Sequence, residues 1–219
     1  MNKINIRPYK TQDRAALRTL CCDVADRGNP IENFFPDRDV AADLLTKYYT
    51  DYEPRSTFIA ELDGRLVGYI NGCMDNRRHG LVMFWILMPA LLLKAFKRGL
   101  FFRSEIHQMV LGALKNWRRI FVWRKSSFHS HQGHLHIGID RSFRGQQVGG
   151  ELVNTLVKYA LDKGIVELAA SVHDANKAAG GFFERQGFSV RERHPMILIR
   201  DGKEEPYHSL LYVKTIAEH

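Results

Sequence analysis

The sequence predicts an α/β fold, and three stretches carry that prediction. Residues 134–160 read as a strand, a glycine-rich turn and a helix. His134-Leu135-His136-Ile137-Gly138-Ile139 is a short apolar run, Arg144 to Gly150 is a tight turn, and Val148, Leu152, Leu156 and Tyr159 recur at helical spacing. A second strand at 165–172 runs into a helix that opens at Asn176 and ends at Gly187. Upstream, a first strand at 4–9 is followed by two helical patterns and a hairpin, so both element types alternate along the chain.

Taken in order, Ile4 to Tyr9 forms the first strand, and Thr11 or Asp13 caps a helix carrying Ala16, Leu17, Leu20 and Val24. Residues 30–36 are a loop, and 37–52 a second helix with Val40, Leu44, Leu45 and Tyr48 on one face. Strands at 57–62 and 66–72 are joined by Asp63-Gly64, a dipeptide that favours a two-residue hairpin turn. Beyond the second core helix, 188–193 and 208–213 are the last two strands, with a polar loop at 201–206 between them.

At 219 residues the chain fits one domain with ample length for a core, and 45% hydrophobic with 26% charged residues is a globular composition. The N-terminus has no apolar signal region. Cys21, Cys22 and Cys73 show neither disulfide nor metal spacing, which points to reduced thiols in a cytoplasmic protein. The net charge of +8 is not spread evenly. Residues 75–132 hold 11 Lys and Arg against 2 acids, and the remainder is nearly neutral.

That basic segment also contains a wholly apolar run at 81–93, broken only by Pro89. The run is too short, and too close to Lys94, Lys97 and Arg98, for a transmembrane helix. Ser104 caps a further helix with Ile106, Met109, Val110, Ala113 and Trp117 at helical spacing; beyond them Phe121 and Trp123 interleave with Arg118, Arg119, Arg124 and Lys125. Three readings compete for the segment: a helical layer against the sheet or a second subunit (a homodimer), a cap over a substrate, or an interfacial membrane contact. Nucleic acid is disfavoured, because no recognised binding module accompanies the basic residues.

A strand running through a glycine-rich turn into a helix gathers unpaired backbone N–H groups at the positive end of the helix dipole. Such a site suits a phosphate or pyrophosphate, and a Cβ at Gly149 or Gly150 would hold the anion away from the backbone. Read together, Arg144-Gly145-Gln146-Gln147-Val148-Gly149 and Asn176 to Phe188, NKAAGGFFERQGF, resemble the two signature segments of the GNAT N-acetyltransferase superfamily. Two positions depart from the family pattern: Gln147 stands in place of the loop's first glycine, and Phe183 in place of a tyrosine.

The resemblance implies a mixed central sheet flanked by helices, with 75–132 as a helical insertion before strand four. It also implies acyl transfer from acetyl-CoA to the amine of a small molecule or peptide by direct attack. On it, Ile137, Gly138 and Ile139 pair with the pantetheine arm, and the Ile139 N–H polarises the thioester. Arg144, Gly145, Gln146, Gln147, Val148, Gly149 and Gly150 hold the pyrophosphate, and Asn176, Phe182 and Phe183 line the arm. Phe183 cannot protonate the departing thiolate, which leaves Tyr212 or water.

For the base, His134 and His136 share one face of their strand and have suitable pKa values. Alternatively, they are hydrogen-bonded strand histidines. His129 and His131 have the opposite parity and no accompanying acid or Cys, so no metal site is expected. His173 and Asp174 read as loop residues. A different class of function, a non-catalytic CoA-binding module, accommodates the missing tyrosine as well.

Overall fold

The computed structural model describes residues 4–33, 35–127 and 132–217. Its strands are β1 (Asn5–Pro8), β2 (Thr57–Leu62), β3 (Arg65–Cys73), β4 (Gln132–Ile139), β5 (Glu167–His173), β6 (Ser189–Arg200) and β7 (Lys203–Thr215). They form a single sheet in the order β1-β2-β3-β4-β5-β7-β6, antiparallel throughout except between β4 and β5.

Helices cover both faces. α6 (Val148–Asp162) and α7 (Lys177–Arg185) close one of them, with Leu152, Leu156 and Phe183 packed against Val67, Leu168 and Tyr212. Leu152 and Leu156 are fully buried, each worth roughly 1.5–3 kcal/mol of transfer free energy. On the other face, α1 (Arg14–Val24) sets Leu17, Leu20 and Cys21 on Ile59 and Tyr69. α2 (Arg38–Lys47) starts at Asp37, whose carboxylate accepts from the Asp39 and Val40 N–H groups at 3.0 Å, and continues as a π turn through Tyr48–Tyr52. Asp13 stands at the start of α1 but spends its carboxylate on Arg7 and the Lys10 N–H instead of capping.

Two expectations need correcting. The polar stretch 201–206 is not a loop: only Asp201 and Gly202 turn, both at positive φ, and Lys203 to Pro206 pair with Ile197 to Arg200. What holds this extended hairpin is α5 (Ser104–Ser127), which packs along β6; Asn116 donates to the Ile197 carbonyl at 2.7 Å and accepts from its N–H at 3.0 Å. The second concerns the apolar run at 81–93. α3 (Asn76–Val82), a π turn (Met83–Leu87) and α4 (Met88–Lys97) form one continuous helix, Asn76–Lys97. Its 22 residues are enough, by length and composition, to cross a membrane. Pro89 does not end this helix; it lies in its interior, directly after the π turn Met83–Leu87, the kind of local irregularity at which a helix accommodates proline.

Candidate active site

The site starts where β4 and β5 part. Their parallel pairing covers only Gln132, Gly133 and His134 against Glu167, Leu168 and Ala169, and β4 then runs on to Ile139 with its β5 side open. The Asp140 N–H bonds to the Val67 carbonyl on β3, so alternation along the strand turns the Ile139 and Ile137 N–H groups toward the gap. Arg144 donates to the Ile139 carbonyl at 3.3 Å and so covers the acceptor while the donor beside it faces the gap. Gly138, the third predicted position on this strand, is buried against the Tyr69 ring.

At the same end of β4 lies the start of α6. Gly145 and Gln147 both have positive φ, at 80° and 65°, the kind of turn conformation that can gather successive N–H groups into an anion-binding concavity. Gln147 therefore adopts the left-handed conformation that the absent glycine would take without strain. The reason for Gly149 differs from the one expected. A Cβ there would lie 2.7 Å from Phe182 Cε2 and 2.9 Å from Ile139 Cδ1, so it is helix-to-strand packing that requires glycine. We expect Gly149→Ala to lower the unfolding free energy by about 1–3 kcal/mol, the usual range for overpacking, read as a lower denaturant midpoint; an unchanged midpoint would show that Phe182 moves aside freely. Gln146 donates to the Ser142 carbonyl within the turn, and Gly150 lies against Gln186.

On the face covered by α1 and α2, an open cleft of about 1290 Å³ has His134 and His136 in its floor; Tyr48, Tyr49, Met83 and Phe84 are among its walls. Asn76 fixes His134. Its amide nitrogen donates to the Gln132 carbonyl at 2.6 Å, so its oxygen faces His134 Nδ1 at 2.5 Å. Nδ1 must then carry the proton, and Nε2 accepts from the Tyr49 hydroxyl at 2.9 Å. Burial, reinforced by the neighbouring His79 and His136, pushes the His134 pKa down to about 3. His136 is engaged at Nδ1 by the Tyr69 hydroxyl, 3.2 Å away, and burial lowers its pKa to about 4. Tyr69 in turn packs with Cys21 in the core.

The aromatic residues of α7 divide. Phe182 stays partly open beside Gly149, whereas Phe183 is buried among Phe182, Phe188 and Tyr212. Tyr212 points to the α7 face and donates to Glu184 at 3.2 Å, while its neighbour Leu211 lines the cleft. The structure thus does not bring Tyr212 together with the histidines. Asn176 caps α7 through Oδ1, which accepts from the Ala179 N–H at 3.1 Å. His173 stacks on Tyr207, and Asp174 accepts from the His208 N–H, so both hold a turn.

His129 and His131 lie outside the described residues, as do the side chains of Phe121, Trp123, Arg124 and Lys125. Among the described residues, no group of three or more His, Cys, Asp or Glu could hold a metal ion. Sequence reasoning missed Asn76, Tyr49 and Tyr69. The first two are 58 and 85 residues from His134, and no local pattern signals such pairings.

Comparison with known proteins agrees with this geometry. The acetyltransferase (GNAT) family model matches residues 109–188. Among solved structures, one called SsHAT aligns over 99% of this chain and 100% of its own, with a TM-score of 0.73 at 22% identity. An N-acetyltransferase from Staphylococcus aureus Mu50 aligns over 98% and 99%, with a TM-score of 0.60 at 15% identity. The structure of yncA, a putative acetyltransferase from Salmonella typhimurium with its cofactor acetyl-CoA, aligns over 100% and 96%, with a TM-score of 0.58 at 15% identity. No curated protein matches.

Proposed function

We propose that this chain, whose residues 109–188 match the acetyltransferase (GNAT) family model, transfers an acetyl group from acetyl-CoA to the amine of a small molecule or peptide, in the reducing cytoplasm. One observation carries the reading: the split between β4 and β5 opens, at the carboxyl end of β4, beside a helix start built to receive an anion. An extended arm fits the gap and a pyrophosphate fits the turn from Arg144 to Gly150.

Acetyl-CoA supplies the acyl group as a thioester. The chain supplies the rest. The Ile139 N–H donates toward the gap and polarises the thioester carbonyl, a preorganised contact of a kind worth roughly 3–4 kcal/mol. His134, with both ring nitrogens engaged, holds the cleft floor in place. His136 has Nε2 for the acceptor's proton when Nδ1–H donates to the Tyr69 oxygen. Phe183 donates nothing, so the thiolate departs unprotonated, which an ordinary thiol pKa of about 8.5 permits near neutral pH.

The test is calorimetry with CoA, followed by free-thiol release from acetyl-CoA across a panel of amines. Gly145 has open space around its Cβ direction but a φ of 80°, so the backbone strain of Gly145→Asp is controlled with the uncharged Gly145→Asn, and the effect of the carboxylate is read from Gly145→Asp against it. The carboxylate should weaken CoA binding at least tenfold, about 1.4 kcal/mol. Unchanged affinity would move the phosphates elsewhere. CoA binding without thiol release above background for any amine would favour the non-catalytic module.

A further inference from the structure

Of the fifteen large hydrophobic side chains left exposed among the described residues, fourteen lie between Leu81 and Trp117. The helix Asn76–Lys97 accounts for most of them. Leu81, Trp85, Met88, Leu92 and Phe96 follow one another every three to four residues along an exposed stripe, with Phe84 beside Trp85, and Trp85 is 70% and Phe96 67% exposed. At about 1.5 Å per residue, this helix is roughly 33 Å long. Its opposite side is anchored. Leu91 packs with Val40 and Ala41 of α2, and Lys94 bridges Asp39 at 2.7 Å and Asp43 at 2.5 Å. Phe102, 87% exposed, extends the apolar surface past the end of the helix.

We infer that this helix docks the protein onto an anionic lipid surface, lying in the interfacial plane with Leu81, Trp85, Leu92, Phe96 and Phe102 in the acyl boundary. Charge selects lipid over a second copy of the chain. Arg77 and Arg78 flank one end of the stripe and Lys97 and Arg103 the other, all exposed, and Glu105 is the only acid from residue 76 to 119. An isologous pairing sets the same patch against itself, so cations meet cations whichever way the two helices run. Anionic headgroups meet the same rim with opposite charge. The buried side and the Lys94 ion pairs hold the helix against α2, which fits a helix lying on a bilayer and not one crossing it. Phe84 and Met88 also line the cleft, so the wall of the acceptor site and the docking stripe belong to one helix.

The experiment is co-sedimentation with vesicles of phosphatidylcholine alone and of phosphatidylcholine mixed with phosphatidylglycerol, with tryptophan emission recorded in parallel. All three tryptophans, Trp85, Trp117 and Trp123, lie in the insertion, so emission reports on this segment alone. The protein should partition to the mixed vesicles with a blue shift, bind pure phosphatidylcholine less, and be released by salt. Trp85→Glu and Phe96→Glu, both at exposed positions outside the cleft, should each weaken partitioning at least tenfold and leave CoA binding unchanged. Failure to bind mixed vesicles overturns the inference, as does binding that both variants retain. A lipid-free dimer that the same variants dissociate also overturns it, by assigning the stripe to a second copy.

Discussion

Acidification from pH 7 to pH 5 should remove roughly 3–4 kcal/mol of unfolding free energy, before most carboxylates begin to titrate. The effect comes from His134 and His136, whose pKa values burial lowers to about 3 and about 4. In the unfolded chain both titrate near 6.5, so between pH 6.5 and about 4 the unfolded state binds more protons than the folded one. Stability therefore rises with pH through that window, is complete above it, and falls as pH drops. Each histidine contributes about 1.4 kcal/mol per pH unit there. Asp13, Asp37, Asp39 and Asp43 act in the same direction, but lower. Their folded pKa values are depressed, so their contribution is present above the ordinary carboxylate value and is lost only as pH falls through the depressed one. Urea unfolding at pH 7, 6 and 5 measures the slope, and His134→Gln with His136→Gln should flatten it. A stability that is level from pH 7 to pH 5 in the unaltered protein would mean that water reaches both rings.

The same two histidines show how far the sequence reaches. Their alternation on an apolar run placed both on one face of a strand, and the structure puts both in the floor of one cleft. The turn from Arg144 to Gly150 and the helix from Asn176 were equally legible, because strand, turn and helix are adjacent in sequence. What could not be read is what surrounds them. The proton position on His134 is set by Asn76, at the start of the insertion, through a bond that also needs the Gln132 carbonyl. Lys203 to Pro206 look like loop by composition, yet α5 props the hairpin that contains them. The left-handed Gln147 was likewise hidden, since its residue type argues against positive φ. Each of these is a long-range or strained feature, and local propensity says nothing about either.

Replacing His136 by Gln should lower turnover by about a hundredfold, at the lower end for loss of a positioned base, with CoA affinity unchanged. The loss should be uniform from pH 6 to pH 9. With a pKa of about 4, His136 is already neutral throughout that range, so its own ascending limb lies below pH 5. Any limb between pH 6 and pH 9 then belongs to deprotonation of the acceptor amine, and the variant should keep it. Tyr69→Phe provides the second arm. It removes the oxygen that receives Nδ1–H, so it should cost less, about tenfold, mainly in turnover. His134 differs because Asn76 and Tyr49 occupy both its nitrogens, and His134→Gln should act chiefly on stability and on acceptor KM. Steady-state rates for the three variants with one amine, read as kcat and KM across pH 6–9, separate these roles. If His136→Gln keeps full turnover while His134→Gln loses it, the base assignment is reversed. If neither loses turnover, solvent removes the proton, and the cleft floor serves only to shape the acceptor site.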